Sequence, residues 1–151
     1  YVEGNPMANV DPFGLASCVY SISSGQMVCI PNRSEHATFQ GNFASGNNST
    51  PGCKDNWECQ GISNVGPLPE GVYEWTGRGR KSPDRRNLTP LYGTQYGRSG
   101  FQTHSCLNPF GPSRSQKGAC SNGCVTGSPD VIRRLNELLD SEPRSVLTVI
   151  P

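Results

Sequence analysis

Seven cysteines in a chain of 151 residues do most to restrict how this sequence can fold: Cys18, Cys29, Cys53, Cys59, Cys106, Cys120 and Cys124. That density suits an oxidising compartment, where disulfides persist. The odd count leaves at least one thiol without an intrachain partner. The rest of the composition points the same way, to a loop-rich domain. Hydrophobic residues are only 33%, while Gly (18) and Pro (13) are abundant, which favours short strands and many turns over a helical bundle.

The cysteines sit among recognisable local signals. Residues 18–30, "CVYSISSGQMVCI", alternate apolar and polar around "SSGQ", the pattern of a β-hairpin, with Cys18 and Cys29 near its two ends. Residues 39–66 read as turn-rich. A local Cys53–Cys59 disulfide fits this segment better than a metal site, because the segment offers no histidine. A strand is expected over 72–76 after the turns of "GPLPEG", another over 100–104, and a last one over 144–150. One helix is legible. Ser128 can cap it, Pro129 and Asp130 suit its first turn, and Val131, Ile132, Leu135, Leu138 and Leu139 form one apolar stripe before Pro143. These signals predict a mostly β domain with one packed α-helix.

Charge excludes little but guides the search. The net charge is +1, so composition does not point to a nucleic-acid partner. The most basic run, "RGRKSPDRR" (78–86), is rich in Gly, Pro and Asp and reads as a solvated loop, with a binding patch as the alternative. No apolar run approaches the roughly 18 residues of a membrane helix, and no signal peptide is expected at the N-terminal end. A chain with the cysteine content of an exported protein, but no export signal, is expected to travel as part of a larger one.

The densest chemistry lies in "HSCLNPFGPSRSQKGACSNGC", residues 104–124. A cysteine nucleophile needs thiolate character, a base within reach and donors for an oxyanion. His104 ends an expected strand, and Gly123 before Cys124 permits a sharp turn. The helix start at Ser128 would favour negative charge if the turn brought it close. Other readings of the same residues are a structural histidine, a cysteine that is half of a disulfide, and a zinc set of His104, Cys106, Cys120 and Cys124, whose spacings match no common zinc pattern. No metal or cofactor is expected. The second histidine, His36, reads as a surface-loop residue, and Trp57 and Trp75 as packing residues.

Two resemblances sharpen this. The segment "YVEGNPMANVDPFGL" (1–15) resembles the end of the Rhs-repeat core, the shell that encloses a polymorphic toxin, through Tyr1, Gly4, Asn5, Pro6, Asp11, Pro12, Gly14 and Leu15. The resemblance implies a self-cleavage boundary at Asp11 to Leu15, with 1–15 as the end of the core and 16–151 as the toxin domain, beginning at Ala16. Further on, His104 followed by Ser121-Asn122-Gly123-Cys124 resembles the signature of L,D-transpeptidases. "YSISSGQM", "FQGNFASGNN", "GPLPEGVY" and "GRSGFQTH" resemble, in order, segments of type VI secretion effectors of L,D-transpeptidase-like fold.

The second resemblance implies a β-sandwich or barrel and a set of roles. Cys124 would be the nucleophile and His104 the general base, with the Ser105 carbonyl orienting the imidazole. Ser121 would shape the loop, the amides of Gly123 and Cys124 would form the oxyanion hole, and Asn122 would contact substrate. The effectors usually carry glycine where this chain has Ser105. With Cys124 reserved for catalysis, the other six cysteines pair by proximity as Cys18–Cys29, Cys53–Cys59 and Cys106–Cys120. The implied activity is removal or exchange of the terminal D-alanine of peptidoglycan stem peptides, by a toxin delivered from an Rhs shell into a rival's periplasm. The implied partners are the stem peptides, the shell and a cognate immunity protein, without nucleic-acid binding or membrane insertion. Two other classes compete: a non-catalytic, disulfide-rich wall-binding module, for which Cys124 would be dispensable, and a cysteine amidase or peptidase using the same dyad on another bond. A nuclease would normally show a denser His/Asp/Glu/Lys cluster or a basic face.

Overall fold

The computed structural model describes residues 15–110 and 120–151. Asp11 and the rest of the 1–14 segment, with its shell-boundary motif, lie outside the described residues, as do residues 111–119.

The alternation around "SSGQ" folds as expected, with β1 (Ser17–Ser21) and β2 (Gln26–Ile30) forming an antiparallel hairpin. Cys18 and Cys29 are direct cross-strand partners and are joined by a disulfide. Their side chains face inward with Tyr20 and Met27, while Ser17 and Val19 face solvent, the period of two that a half-buried strand requires. The remaining strands are β3 (Phe39–Asn42), β4 (Ala44–Ser45), β5 (Gly71–Arg78), β6 (Arg86–Tyr92), β7 (Gln102–Ser105), β8 (Val125–Gly127) and β9 (Val146–Ile150), with helix α1 (Pro129–Ser141) between the last two. The fold is mostly β with one packed helix.

One sheet holds all nine strands, in the order β3-β2-β1-β9-β5-β6-β7-β8-β4. Its two edge strands, β3 and β4, are separated in the chain by Phe43 alone. A sheet whose opposite edges are one residue apart must curl almost onto itself, and the result is a nearly closed barrel. Phe43 is buried at this seam, edge-on to Tyr20 and tilted against Phe39, and its N–H donates to the Gly25 carbonyl at 2.7 Å. Helix α1 packs against β3, β7 and β8. It buries Ile132, Leu135, Leu138 and Leu139, the expected stripe, and Val131 packs against the same core. Ser128 caps it through Val131 N–H, an interaction worth about 1 kcal/mol.

Two expectations need correction. The 39–66 segment holds strands β3 and β4, which its Gly and Asn content conceals, because a two-residue strand is held by its partner and not by its own propensity. The basic run is a loop only over 79–85. Arg78 ends β5 and Arg86 opens β6, where Arg86 is buried and paired with Asp140 of the helix. β6 went unread because Pro90 interrupts its pattern; it is tolerated at an exposed position beside a register shift.

His36 is also more than a surface residue. Its Nδ1 donates to the fully buried Glu142, the residue capping the C-terminus of α1, which also accepts from Asn32 N–H at 2.8 Å. Trp75 is buried as expected, whereas Trp57 is 41% exposed.

Candidate active site

Strands β7 and β8 run parallel, with Thr103 opposite Val125 and His104 opposite Thr126. Cys124 immediately precedes β8, so this register sets it level with Gln102, two residues before His104. Residues separated by twenty positions in the chain thus share one cleft, lined by both His104 and Cys124. Cys106–Cys120 and Cys53–Cys59 are disulfides, and Cys124 is the free cysteine. Joining Cys106 to Cys120 removes two members of the alternative zinc set. Among the described residues no cluster of His, Cys, Asp or Glu is arranged to hold a metal.

His104 is buried on its strand, and its Nδ1–H donates to the Ser105 carbonyl at 3.0 Å. That bond fixes the tautomer and leaves the Nε2 lone pair for the cleft. Ser105 is itself anchored. Its N–H donates to the Asp84 carboxylate at 2.8 Å, and its hydroxyl donates to the same carboxylate. Asp84 also accepts from Ser82 Oγ, and its backbone carbonyl accepts from Asn136 of α1 at 3.0 Å. The serine that departs from the effector pattern therefore adds a hydroxyl contact to Asp84 that glycine could not make. Partial burial pushes the Asp84 carboxyl up, but the hydrogen bonds from Ser105 and Ser82 outweigh it and bring it down to about 2.

The loop of Ser121 to Cys124 is held from beneath. Ser121 Oγ donates to the Cys124 carbonyl at 2.5 Å and accepts from Gly123 N–H at 2.9 Å and Gly46 N–H at 3.2 Å. Asn47, fully buried, donates to the Ser121 carbonyl at 2.9 Å and lies 3.2 Å from Asn122 Oδ1. Ser45 Oγ donates to the Cys124 carbonyl at 3.0 Å and accepts from Leu68 N–H at 2.8 Å. Arg98 completes the cradle. Its guanidinium is buried and donates to the carbonyls of Gln60 (2.5 Å), Pro67 (2.8 Å), Gly66 (2.8 Å) and Asn122 (3.1 Å). Gly123 lies directly over it at φ +139°, and a Cβ there would sit 2.3 Å from Arg98 Nη2. Only glycine meets both conditions.

Three details differ from the sequence expectations. The Gly123 amide is turned to Ser121 Oγ, so it is not directed into the cleft as an oxyanion donor; the Cys124 amide makes no hydrogen bond among the described residues. The start of α1 is not beside the thiol, because the three residues of β8, about 10 Å of extended chain, intervene, and a helix dipole fades beyond its first turn. Asp84, Arg98, Ser45 and Asn47 escaped notice as individual residues. The last two lie within "FQGNFASGNN" and Arg98 within "GRSGFQTH", so the segments were flagged but not the side chains. Nothing local marks Asp84.

The electrostatics favour the neutral form of each group at rest. Burial pulls the His104 imidazole below its ordinary value; its bond to Ser105 and the charge of Asp84 oppose this, while Arg85 adds to it. Burial pushes the Cys124 thiol up, against a backbone hydrogen bond from Gln102 and the positive charges of Arg85, Arg98 and Lys81. A neutral imidazole that shares a cleft with a neutral thiol is of the kind that can take a proton during attack, in place of a standing ion pair.

No family model matches the sequence, and no curated protein matches it. Solved structures do match in fold. L,D-transpeptidase 1 of Mycobacterium tuberculosis superposes with a TM-score of 0.52 at 16% identity over 91% of this chain and 63% of that chain. The catalytic domain of the E. faecium L,D-transpeptidase gives 0.53 at 13% identity, over 89% of this chain and 96% of that one. The helical cell shape determining protein Pgp2 of Campylobacter jejuni gives 0.54 at 11% identity, over 90% and 47%. The chain thus has the architecture of an L,D-transpeptidase catalytic domain, and spans less than two thirds of the mycobacterial and Campylobacter chains.

Proposed function

We propose that this domain is a cysteine acyl-transfer enzyme acting on the L,D bond of peptidoglycan stem peptides, as an L,D-carboxypeptidase or by L,D exchange. The observation that supports it best is the free Cys124 sharing a cleft with His104, whose Nδ1–H is tied to the Ser105 carbonyl, on the fold of L,D-transpeptidase domains.

The reaction follows from these groups. Cys124 Sγ attacks the carbonyl of the third stem residue while His104 Nε2 takes the thiol proton. A carbon–sulfur bond forms, and the developing oxyanion is met by the Cys124 amide. His104 returns the proton to the amide nitrogen, the carbon–nitrogen bond breaks, and D-alanine leaves from a thioester. Water then adds to the thioester with His104 again as base, giving a tripeptide stem and the free thiol. A D-amino acid or the amine of a second stem in place of water gives exchange or a crosslink.

The setting of this activity is read from residues 1–15 and the cysteines. A toxin released from an Rhs shell into a rival's periplasm would meet its stem peptides there and keep its three disulfides. A cognate immunity protein in the producer would cover the cleft. The test is mass spectrometry of tetrapeptide muropeptides incubated with the wild type and with Cys124→Ala. The expected result is loss or exchange of terminal D-alanine with the wild type alone. Cleavage at another bond would move the dyad to an amidase or peptidase. Toxicity that survives Cys124→Ala would favour the wall-binding module.

A further inference from the structure

The cleft at Cys124 is one-sided in charge. On the side shared with His104 it has a volume of about 590 Å³ and is walled by Arg80, Lys81 and Arg85 with Asn87 and Gln102. On the other side a smaller cleft of about 280 Å³ is lined by Ser63, Asn64, Ser99 and Phe101, and its one charged group is the buried Arg98. No carboxylate lines either cleft among the described residues.

Three cations gathered on one wall repel one another, and that repulsion is relieved by an anion. Among the described residues none of the three pairs with a carboxylate of the protein. The one acid of their loop, Asp84, is occupied by Ser105 and Ser82. The wall is also built in place. Gly79 N–H donates to the Arg85 carbonyl at 3.0 Å, closing the loop at its base. Arg85 Nη1 donates to Gln102 Oε1 at 2.7 Å, and Gln102 Nε2 donates to Asn87 Oδ1 at 2.7 Å. Gln102 is the residue level with Cys124. The guanidinium is therefore aimed beside the nucleophile, and Arg80 and Lys81 stand exposed farther out on the same loop.

We infer that Arg80, Lys81 and Arg85 form a carboxylate-binding subsite that seats a free carboxylate of the peptide next to the bond attacked by Cys124. This rests on the stem-peptide reading above. Two carboxylates of such a peptide meet the requirement: that of the departing D-amino acid, three bonds from the attacked carbon, and that of the third residue's side chain. Arg85, with its flat fork of donors, grips the carboxylate in bidentate fashion. Arg80 and Lys81 steer the anion inward, an effect that salt weakens. The subsite selects anionic donor stems.

The experiment separates this from the parent reading. Binding of a tetrapeptide stem is measured by titration calorimetry on Cys124→Ala, with and without Arg85→Gln, and turnover on the otherwise native enzyme carrying Arg85→Gln or Arg85→Lys at the plateau of the pH profile. Arg85→Gln is expected to raise KM and Kd about tenfold, the 1.4 kcal/mol of one lost charged contact, with a smaller change in kcat; Arg85→Lys recovers part of it. A stem ending in D-alanine amide and one amidated on the third residue identify the seated carboxylate: whichever loses about tenfold with wild type and nothing further with Arg85→Gln supplies it. If binding and KM of Arg85→Gln and of the triple variant R80Q/K81Q/R85Q match the parent, the subsite is overturned. If the wild type neither binds nor cleaves any stem, the parent reading falls. The subsite is then judged with N-acetyl-D-alanine alone: perturbation of the Arg85 side-chain NMR signals retains it, and silence overturns it.

Discussion

Replacing Asp84 with asparagine tests whether His104 is held in register through its neighbour. The carboxylate accepts from Ser105 N–H, Ser105 Oγ and Ser82 Oγ, and an amide of the same shape offers one oxygen to these three donors. The step of the carboxyl from 3.8 to about 2 corresponds to roughly 2.4 kcal/mol at 1.36 kcal/mol per pH unit. Solvent access to this half-buried group trims that to about 1–2 kcal/mol. D84N should therefore lower Tm by roughly 2–8 °C at pH 7. The folded-state pKa lies below the unfolded one, so this stability is present above about 3.8 and drains away as pH falls towards about 2. Thermal melts of wild type and D84N should converge across that window. The functional consequence is larger. Freeing Ser105 loosens the carbonyl that holds the imidazole, and displacement on the order of 1 Å costs up to about 100-fold in rate. We expect kcat to drop about 10- to 100-fold. Loss of the Asp84 charge, which acts to raise the His104 pKa, should also move the acid limb of kcat/KM to lower pH. An unstable but otherwise intact site would show the Tm loss without the moved limb. Full kcat with an unmoved limb would refute the role given to Asp84.

Other outcomes follow from the same geometry. The base works when neutral, so wild-type kcat/KM should fall on the acid side only below pH 6.5, and iodoacetamide should alkylate Cys124 with a midpoint above 9.0 in the free enzyme. Alkylation already at its plateau at pH 7 would show a standing thiolate. Arg98→Lys keeps a charge but cannot reach all four carbonyls; it should cost about 2–3 kcal/mol in urea unfolding and lower kcat, because the Asn122 carbonyl is released. Opening the Cys106–Cys120 link, fourteen residues apart, by Cys106→Ser with Cys120→Ser should cost about 3 kcal/mol. Turnover should also be weaker, since Cys120 adjoins the Ser121–Cys124 loop. A thiol count on the unfolded, unreduced wild type should return one.

The likeness to L,D-transpeptidase domains is one of architecture, at 9% to 17% identity. The arginine cradle under Gly123 and the cationic wall line the clefts on either side of Cys124, and the serine after the histidine, with its carboxylate anchor, stands behind His104. Each holds a different part of the site: Arg98 and Ser121 hold the loop of Cys124, Asp84 and Ser105 hold His104, and Arg85 lines the cleft.

Sequence alone was sufficient wherever the signal is local. The hairpin around "SSGQ" is written in alternation over a dozen residues, and the helix in its cap and stripe. The order of the cysteines, once Cys124 was set aside by resemblance, gave the three disulfides that the fold contains. His104 and Cys124 could be singled out as residues of the right kind. Only tertiary structure decided how they are held. Asp84 reaches Ser105 across twenty-one positions, and Arg98 gathers carbonyls from Gln60, Gly66, Pro67 and Asn122. Backbone carbonyls carry no mark in the sequence, so the cradle was not legible before the chain folded around it. The basic run left a binding patch open beside the solvated loop, because charge in a sequence does not say which way a loop will lie. It lies over the cleft because Asp84 and Asn136 pin it there.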